Sequence, residues 1–425
     1  MDSLLTILTA WMPQQRWYAA KASAPRLRLL ADTSWPTGDD DARVRVLHVA
    51  DHSSEPPVVY QVPVVERADV TVAREHVVGS VRAGTVLVDG PHDAAYTRAL
   101  LARLAPRATA ARSEVLTGEQ SNTSIVYRPA SAPPMICKVF RQVHAGLNPD
   151  IELQRALDAA GSAHIPHVIG DLEGRWPDPA DATRSLAGSL AFAQEFLAGA
   201  EDAWRLARRA AAADAPFTTA ARALGATTAD VHLTLAHALP TAPMHPAARV
   251  AVTDSWRRRL RIATEEIPAL AAHRSAIEAV YAGTATAPWP GLQRIHGDFH
   301  LGQVLQVPGR GWMLLDFEGE PMRPIAERRL PDVALRDVAG MLRSFDYVAG
   351  SLRADRDTAT PLDRWSGDAR RAFLDGYEQR SGHGTGGPLL RALELDKAVY
   401  EAIYEARNRP TWLEIPLRAI DRLTA

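Results

Sequence analysis

The chain has a single cysteine, Cys137, in 425 residues, which excludes an intramolecular disulfide and any cysteine-built metal site. No apolar run reaches the ~18 residues that a membrane-spanning helix needs. An excess of either charge is missing too. With 48 basic and 50 acidic residues the formal net charge is −2, so there is no basic field to attract nucleic acid or a membrane surface. The N-terminus opens with Asp2 and reads as an amphipathic helix, not as the basic-then-apolar plan of a signal peptide. These absences lead us to expect a cytoplasmic protein, monomer or homodimer, whose partner is a small molecule. The shortage with the sharpest consequence is lysine. Only Lys21, Lys138 and Lys397 stand among the 48 basic residues. Since arginine serves almost everywhere else, a lysine that persists points to a place where arginine's planar fork does not fit.

What is present exceeds one hydrophobic core, and 46% hydrophobic residues is ordinary globular composition. After the first helix, residues 1–90 hold valine-rich strand material, "RVRVLHVAD" and "PPVVYQVPVVE", between Pro, Gly and Asp clusters. The helical "DGPHDAAYTRALLARLAP" (89–106) crosses into the next segment, residues 91–198. "SEVLT", "IVYRP" and "MICKVF" follow as short antiparallel strands. "NPDIELQRALDAAG" reads as a helix capped by Asn148 or Asp150 and stopped by Gly161, and "SLAFAQEFL" as a closing strand. From 199 to 425 the three-and-four apolar spacing predicts helices, interrupted by the strands "QVLQV" and "WMLLDFE". The expected fold is α+β: an N-terminal cap, a β-rich lobe and a helical lobe.

The chemistry concentrates in "IHGDFHLGQ" (295–303) and "LLDFEGEP", whose Asp316 lies 13 residues after Gln303. A loop aspartate, an amide five residues on and an aspartate at the end of the next strand supply one proton acceptor and two hard oxygen ligands. Phosphoryl transfer needs that set, with Asp298 to orient the attacking hydroxyl and Gln303 and Asp316 to hold Mg²⁺. A zinc site built on His296 and His300 needs a helix to bring their rings to one face, and Gly297 with strand-like flanks opposes that. A metal-dependent hydrolase lacks a third ligand near the loop. A phosphotransferase also needs a cation for the phosphates, held by an acid. Lys138 in "MICKVFR" and Glu152 on the following helix are the candidates.

"HGDFHLGQ" followed by "DFEGEP" resembles the protein-kinase-like small-molecule phosphotransferases. "QRWYAAK", "GEQSNTS", "KVFR", "NPDIE", "QEFL", "LRDVAGMLRSFDY" and "YEARNRPTWL" resemble, in order, the actinobacterial maltokinases and glucosamine kinases. The resemblance runs from about residue 10 to the C-terminus. It implies a bilobal sugar kinase using ATP and Mg²⁺, with adenine against a hinge at Glu195 and Phe196. The phosphate loop holds one glycine, Gly118, where protein kinases have three, so Ser121, Asn122 and Thr123 are left to supply amides and hydroxyls. Arg336 and Asp337 are expected to brace the catalytic loop. Tyr404, Arg409, Trp412 and Glu414 are the expected acceptor residues. Where the maltokinase pattern has proline in this segment the chain has Glu414, which favours an aminosugar because a carboxylate would pair with a C2 ammonium. The expectation is therefore glucosamine to glucosamine 6-phosphate. Maltose to maltose 1-phosphate and aminoglycoside phosphorylation are the alternatives, and a binding-only pseudokinase is the non-enzymatic one.

Overall fold

The valine-rich stretches before residue 90 fold into an antiparallel sheet of β1 (Leu27–Trp35), β2 (Ala42–Asp51), β3 (Val58–Arg67), β4 (Val77–Arg82) and β5 (Thr85–Asp89), in the order β1-β2-β3-β5-β4. The structure is a computed structural model that describes residues 2–425 except 22, 40, 69–72, 83, 109–111, 117–121, 131, 322 and 356–360. Side chains alternate faces along a strand, and β2 and β3 bury both. One face packs Leu47, Val49, Val62 and Val64 on Leu4, Leu8 and Trp11 of the helix Asp2–Trp11. The other packs Val44, Val46 and Val65 on Ala95, Tyr96 and Leu100 of the helix Ala94–Leu104. Asp93 caps that second helix, accepting from Ala95 N at 2.8 Å.

A second antiparallel sheet holds β6 (Arg112–Val115), β7 (Asn122–Arg128), β8 (Met135–Phe140), β9 (Val168–Pro177) and β10 (Ser185–Glu195), in the order β6-β7-β8-β10-β9. Its Ile125, Tyr127, Cys137 and Val139 complete the core under the helix Ala94–Leu104. Both sheets belong to one compact unit, residues 1–152 with 166–198.

Two buried polar side chains tie these sheets together. Gln61 Nε2 on β3 donates to Phe140 O and Leu190 O, each at 2.9 Å. Arg141, just past β8 and fully buried, donates through Nη2 to Asp89 Oδ2 at 2.8 Å and through Nε to Thr123 Oγ1 at 2.8 Å. Its guanidinium carbon lies 5.0 Å from the centre of the Trp17 ring. Breaking one side of a buried ion pair strands the other charge, which costs about 3–5 kcal/mol. The variant Arg141→Met should therefore lose stability of that order in urea denaturation. An unchanged midpoint would show that Asp89 does not depend on this arginine.

The second unit comprises residues 153–165 and 199–425. It is helical: Ala203–Ala212, Thr218–Ala238, Pro246–Glu266, Arg274–Ala282, Leu335–Asp355, Pro361–Ser381, Pro388–Asn408 and Glu414–Thr424 are its longer helices. A small sheet, β11 (Glu201–Asp202), β12 (Val304–Val307) and β13 (Gly311–Leu314), lies among them. One core that includes Leu224, Trp256, Leu342, Phe345, Phe373 and Leu395 runs through the unit. Gly340 lets the helix Leu335–Asp355 back directly onto the 295–303 loop, since a Cβ there would stand 2.6 Å from Phe299 O. Among the described residues, no helix is long and apolar enough to cross a membrane.

Candidate active site

The loop "IHGDFHLGQ" is held from beneath by one buried carboxylate. Asp337 accepts from His296 N at 2.8 Å through Oδ2 and from Gly297 N at 2.9 Å through Oδ1, and His232 Nε2 donates to it at 3.0 Å. Burial opposes charge on Asp337, yet the bond from His232 and the loop amides hold its carboxyl below the usual range. Gly297 has φ +83°, and a Cβ on it would meet Gly319 Cα at 3.2 Å, so only glycine lets the two loops approach. The loop histidines have structural partners. His296 Nε2 donates to Leu315 O at 2.9 Å, and His300 Nδ1 accepts from Gly302 N at 3.0 Å. Neither contact favours a histidine metal site.

Asp298 sits beside a half-buried lysine. Lys397 Nζ is 3.6 Å from Asp298 Oδ1 and 2.5 Å from Glu320 Oε1, and Arg336 Nη2 takes Glu320 Oε2 at 3.1 Å. Burial works against the charge of Glu320, but Lys397 and Arg336 bring its carboxyl down to about 2. The same burial would lower Lys397, and Glu320 with Asp298 raises it instead. Gln303 Nε2 donates to Asp316 Oδ2 at 3.2 Å, so the two expected metal ligands lie side by side. Asp316 adopts φ +65°, a left-handed conformation that costs a non-glycine residue about 1–3 kcal/mol and recurs at ligand sites. An oxygen of Glu318 lies within 4.8 Å of one on Asp316. Two carboxylates and an amide oxygen fit a hard cation of the Mg²⁺ type.

The helix Pro388–Asn408 continues this acidic surface. Residues 397, 401 and 405 share a face at four-residue spacing. Glu401 takes Arg343 Nε at 2.8 Å, and burial outweighs Arg343 and Lys397 to push its carboxyl up. Glu405 accepts from Tyr347 Oη at 3.0 Å and from Arg409 Nη2 at 2.6 Å. The Arg409 guanidinium carbon lies 4.7 Å from the Trp412 ring centre and 5.5 Å from that of Tyr404. Three of the expected acceptor residues, Tyr404, Arg409 and Trp412, are thus brought together. Glu414 is not. Its side chain is 70% exposed, and Arg418, one turn along the last helix, donates to it at 2.6 Å.

In the first unit, Lys138 Nζ donates to Asp150 Oδ2 at 2.9 Å, and that carboxylate is fully buried. Asn148 is the helix cap, accepting from Asp150 N at 2.8 Å. Asp150 is thus a partner of the lysine that the sequence did not single out for that role; Glu152, which it did, lies two residues further along the helix Pro149–Ala159 and is half-buried. Thr123 corrects a second expectation. Ser124 pairs with Lys138 across β7 and β8, and Thr123 pairs with Val139, so the pleat turns Thr123 away from the Lys138 face, where it accepts from Arg141. Asn122 shares the lysine's face. Gly118 and Ser121 lie outside the described residues. At the expected hinge, Glu195 N donates to His167 O at 2.9 Å and Phe196 N to Pro134 O at 3.0 Å. Both amides are therefore engaged, and a contact with adenine would have to use other groups. Sequence reasoning missed Asp150, Glu320, Glu401, Glu405 and the role of Lys397; only the scarcity of lysine flagged any of them.

Residues 11–93 match the maltokinase N-terminal cap domain. A glucosamine kinase of Streptacidiphilus jiangxiensis is 32% identical over 252 residues, which are 53% of this chain and 56% of that protein, so that alignment spans little more than half of the relative. A glucosamine kinase of Mycolicibacterium smegmatis is 29% identical over 340 residues, 74% of this chain and 80% of the relative. Among solved structures, a glucosamine kinase in complex with glucosamine, ADP and inorganic phosphate is 25% identical, covers 98% of both chains and superposes with a TM-score of 0.67. A second crystal form of glucosamine kinase, 24% identical with 99% of both chains covered, gives a TM-score of 0.70. The chain thus carries a maltokinase-type N-terminal cap over residues 11–93 and is similar to glucosamine kinases over most of its length.

Proposed function

We propose that this chain transfers the γ-phosphoryl group of ATP to the 6-hydroxyl of D-glucosamine. The observation that carries the reading is the carboxylate of Asp298, set beside Lys397 on a loop that Asp337 braces. Asp298 orients the attacking hydroxyl and accepts its proton as the new P–O bond forms. Lys138, kept in place by Asp150, supplies a cation for the nucleotide phosphates. Gln303 and Asp316, with Glu318, are the residues to hold Mg²⁺, which when bound neutralises charge on those phosphates.

The aminosugar preference moves from Glu414 to Glu401. Glu401 lies one helical turn from Lys397, and although Arg343 already holds one of its oxygens at 2.8 Å, burial still pushes its carboxyl up, so a further cationic partner is favourable. A charge-assisted bond to the C2 ammonium is worth about 1.5–3 kcal/mol, or roughly tenfold to a hundredfold in kcat/KM. A coupled ADP-release screen across glucosamine, maltose, glucose, N-acetylglucosamine and an aminoglycoside tests this. Glucosamine should exceed glucose by that factor, and Glu401→Gln should close most of the gap. A preference for maltose would overturn the choice of acceptor; an unaltered glucosamine preference in Glu401→Gln would remove Glu401 from it.

A further inference from the structure

Lys397 is given no step in the chemistry described so far, although it stands half-buried in the middle of it. Glu320 shares its neutralisation between two cations, since Arg336 holds the other oxygen of that carboxylate at 3.1 Å. What distinguishes the second cation is its other neighbour, Asp298 Oδ1, at 3.6 Å. The two oxygens of Asp298 are therefore unlike. Oδ1 faces an ammonium, whereas Oδ2 looks toward His300 Nε2 at 4.0 Å. Lys397 Nζ carries three donors, of which Glu320 takes one. The Tyr400 ring, centred 5.1 Å away, lines another side of the ammonium.

We propose that Lys397 is the positioning residue of the proton acceptor: anchored by Glu320, its ammonium engages Oδ1 of Asp298 and so presents Oδ2 to the attacking hydroxyl. The role suits a lysine in a chain that otherwise uses arginine. A compact ammonium on a flexible stem fits between two carboxylates, whereas a guanidinium spreads its donors over a planar fork and would pair bidentately with Glu320. The residue thereby links two motifs far apart in sequence. Glu320 belongs to "DFEGEP", and Lys397 lies one and two turns before Glu401 and Glu405 on the helix that leads into "YEARNRPTWL".

This inference rests on Asp298 being the proton acceptor, and the experiment separates the two. Wild-type turnover is measured first with whichever sugar the acceptor screen favours, so a wrong sugar changes the acceptor and not the comparison. Lys397→Met should then lower kcat about thirtyfold to a hundredfold with KM for ATP within about twofold. Lys397→Arg should stay at least about tenfold slow. The double variant Lys397→Met, Glu320→Gln removes the stranded carboxylate and should regain the thermal midpoint that the single variant loses, while remaining as slow. Return of the double variant to the wild-type rate would show that Lys397 serves Glu320 alone and overturn the proposal, as would full activity in Lys397→Arg. A crystal structure of Lys397→Met gives a readout independent of turnover. The Asp298 carboxylate should rotate from its wild-type orientation; an unmoved carboxylate counts against the inference whatever the acceptor proves to be.

Discussion

Asp298→Asn should lower kcat by about a thousandfold, the middle of the range that a positioned general base contributes. Asparagine has the same size and keeps one oxygen, so the loop should fold as before: its amides are held by Asp337, not by Asp298. What is lost is the basic oxygen that takes the hydroxyl's proton. Under the proposed mechanism KM for ATP should change by less than about twofold, because the lysine assigned to the phosphates, Lys138, has its own buried partner in Asp150. ADP release under saturating nucleotide and sugar reads kcat, and nucleotide binding is read separately by fluorescence titration. A variant that keeps more than about a tenth of wild-type turnover would remove Asp298 from the chemistry, and with it the reading of the whole loop.

How much of this could be seen beforehand differs by element and by residue. Strands β2 and β3 were legible because both of their faces are buried, which selects near-continuous valine. The edge strands β1 and β9 were not. Their residues are mostly half-buried or exposed, and Gly170, Asp171, Glu173 and Gly174 on β9 carry neither alternation nor an apolar run. The 295–303 loop stood out for the opposite reason: Asp298, Gln303 and Asp316 fall close together in the sequence, within one short stretch. Contacts that depend on long-range packing left little trace. Lys397 meets Glu320 across 77 residues, and Tyr347 meets Glu405 across 58. Glu414 misled because its segment does line up the acceptor candidates, while the start of the last helix turns that one side chain outward to Arg418. Asp150 misled because capping and ion pairing draw on the same residue types at a helix start. Only the structure shows that Asn148 caps and Asp150 holds the lysine.

Asp337→Asn should be the most damaging change that touches no substrate. The native carboxylate accepts from the buried amide of His296, the half-buried amide of Gly297 and the buried ring of His232. An asparagine offers one oxygen and turns an N–H₂ toward a neighbouring donor, so at least one buried donor loses its acceptor. Loss of one member of such a buried charged network costs about 3–5 kcal/mol. The amides set free belong to His296 and Gly297, immediately before Asp298, and a misplacement of about 1 Å at a reacting group costs roughly a hundredfold in rate. Both losses should appear together, as a lowered urea midpoint and a kcat reduced by about that factor. Acid separates this account from a packing defect. Because the native carboxyl of Asp337 lies below its unfolded value of about 3.9, its contribution is fully present above that pH and is lost as pH falls through the native value. Glu320 and Asp346, both brought down to about 2, weaken in the same window, and they do so in wild type and variant alike. The stability gap between wild type and Asp337→Asn should therefore be constant from pH 7 to about 5 and narrow below about 4. A gap that stays constant down to pH 3 would mean that the variant is destabilised by shape, and that the charge of Asp337 does not hold the loop.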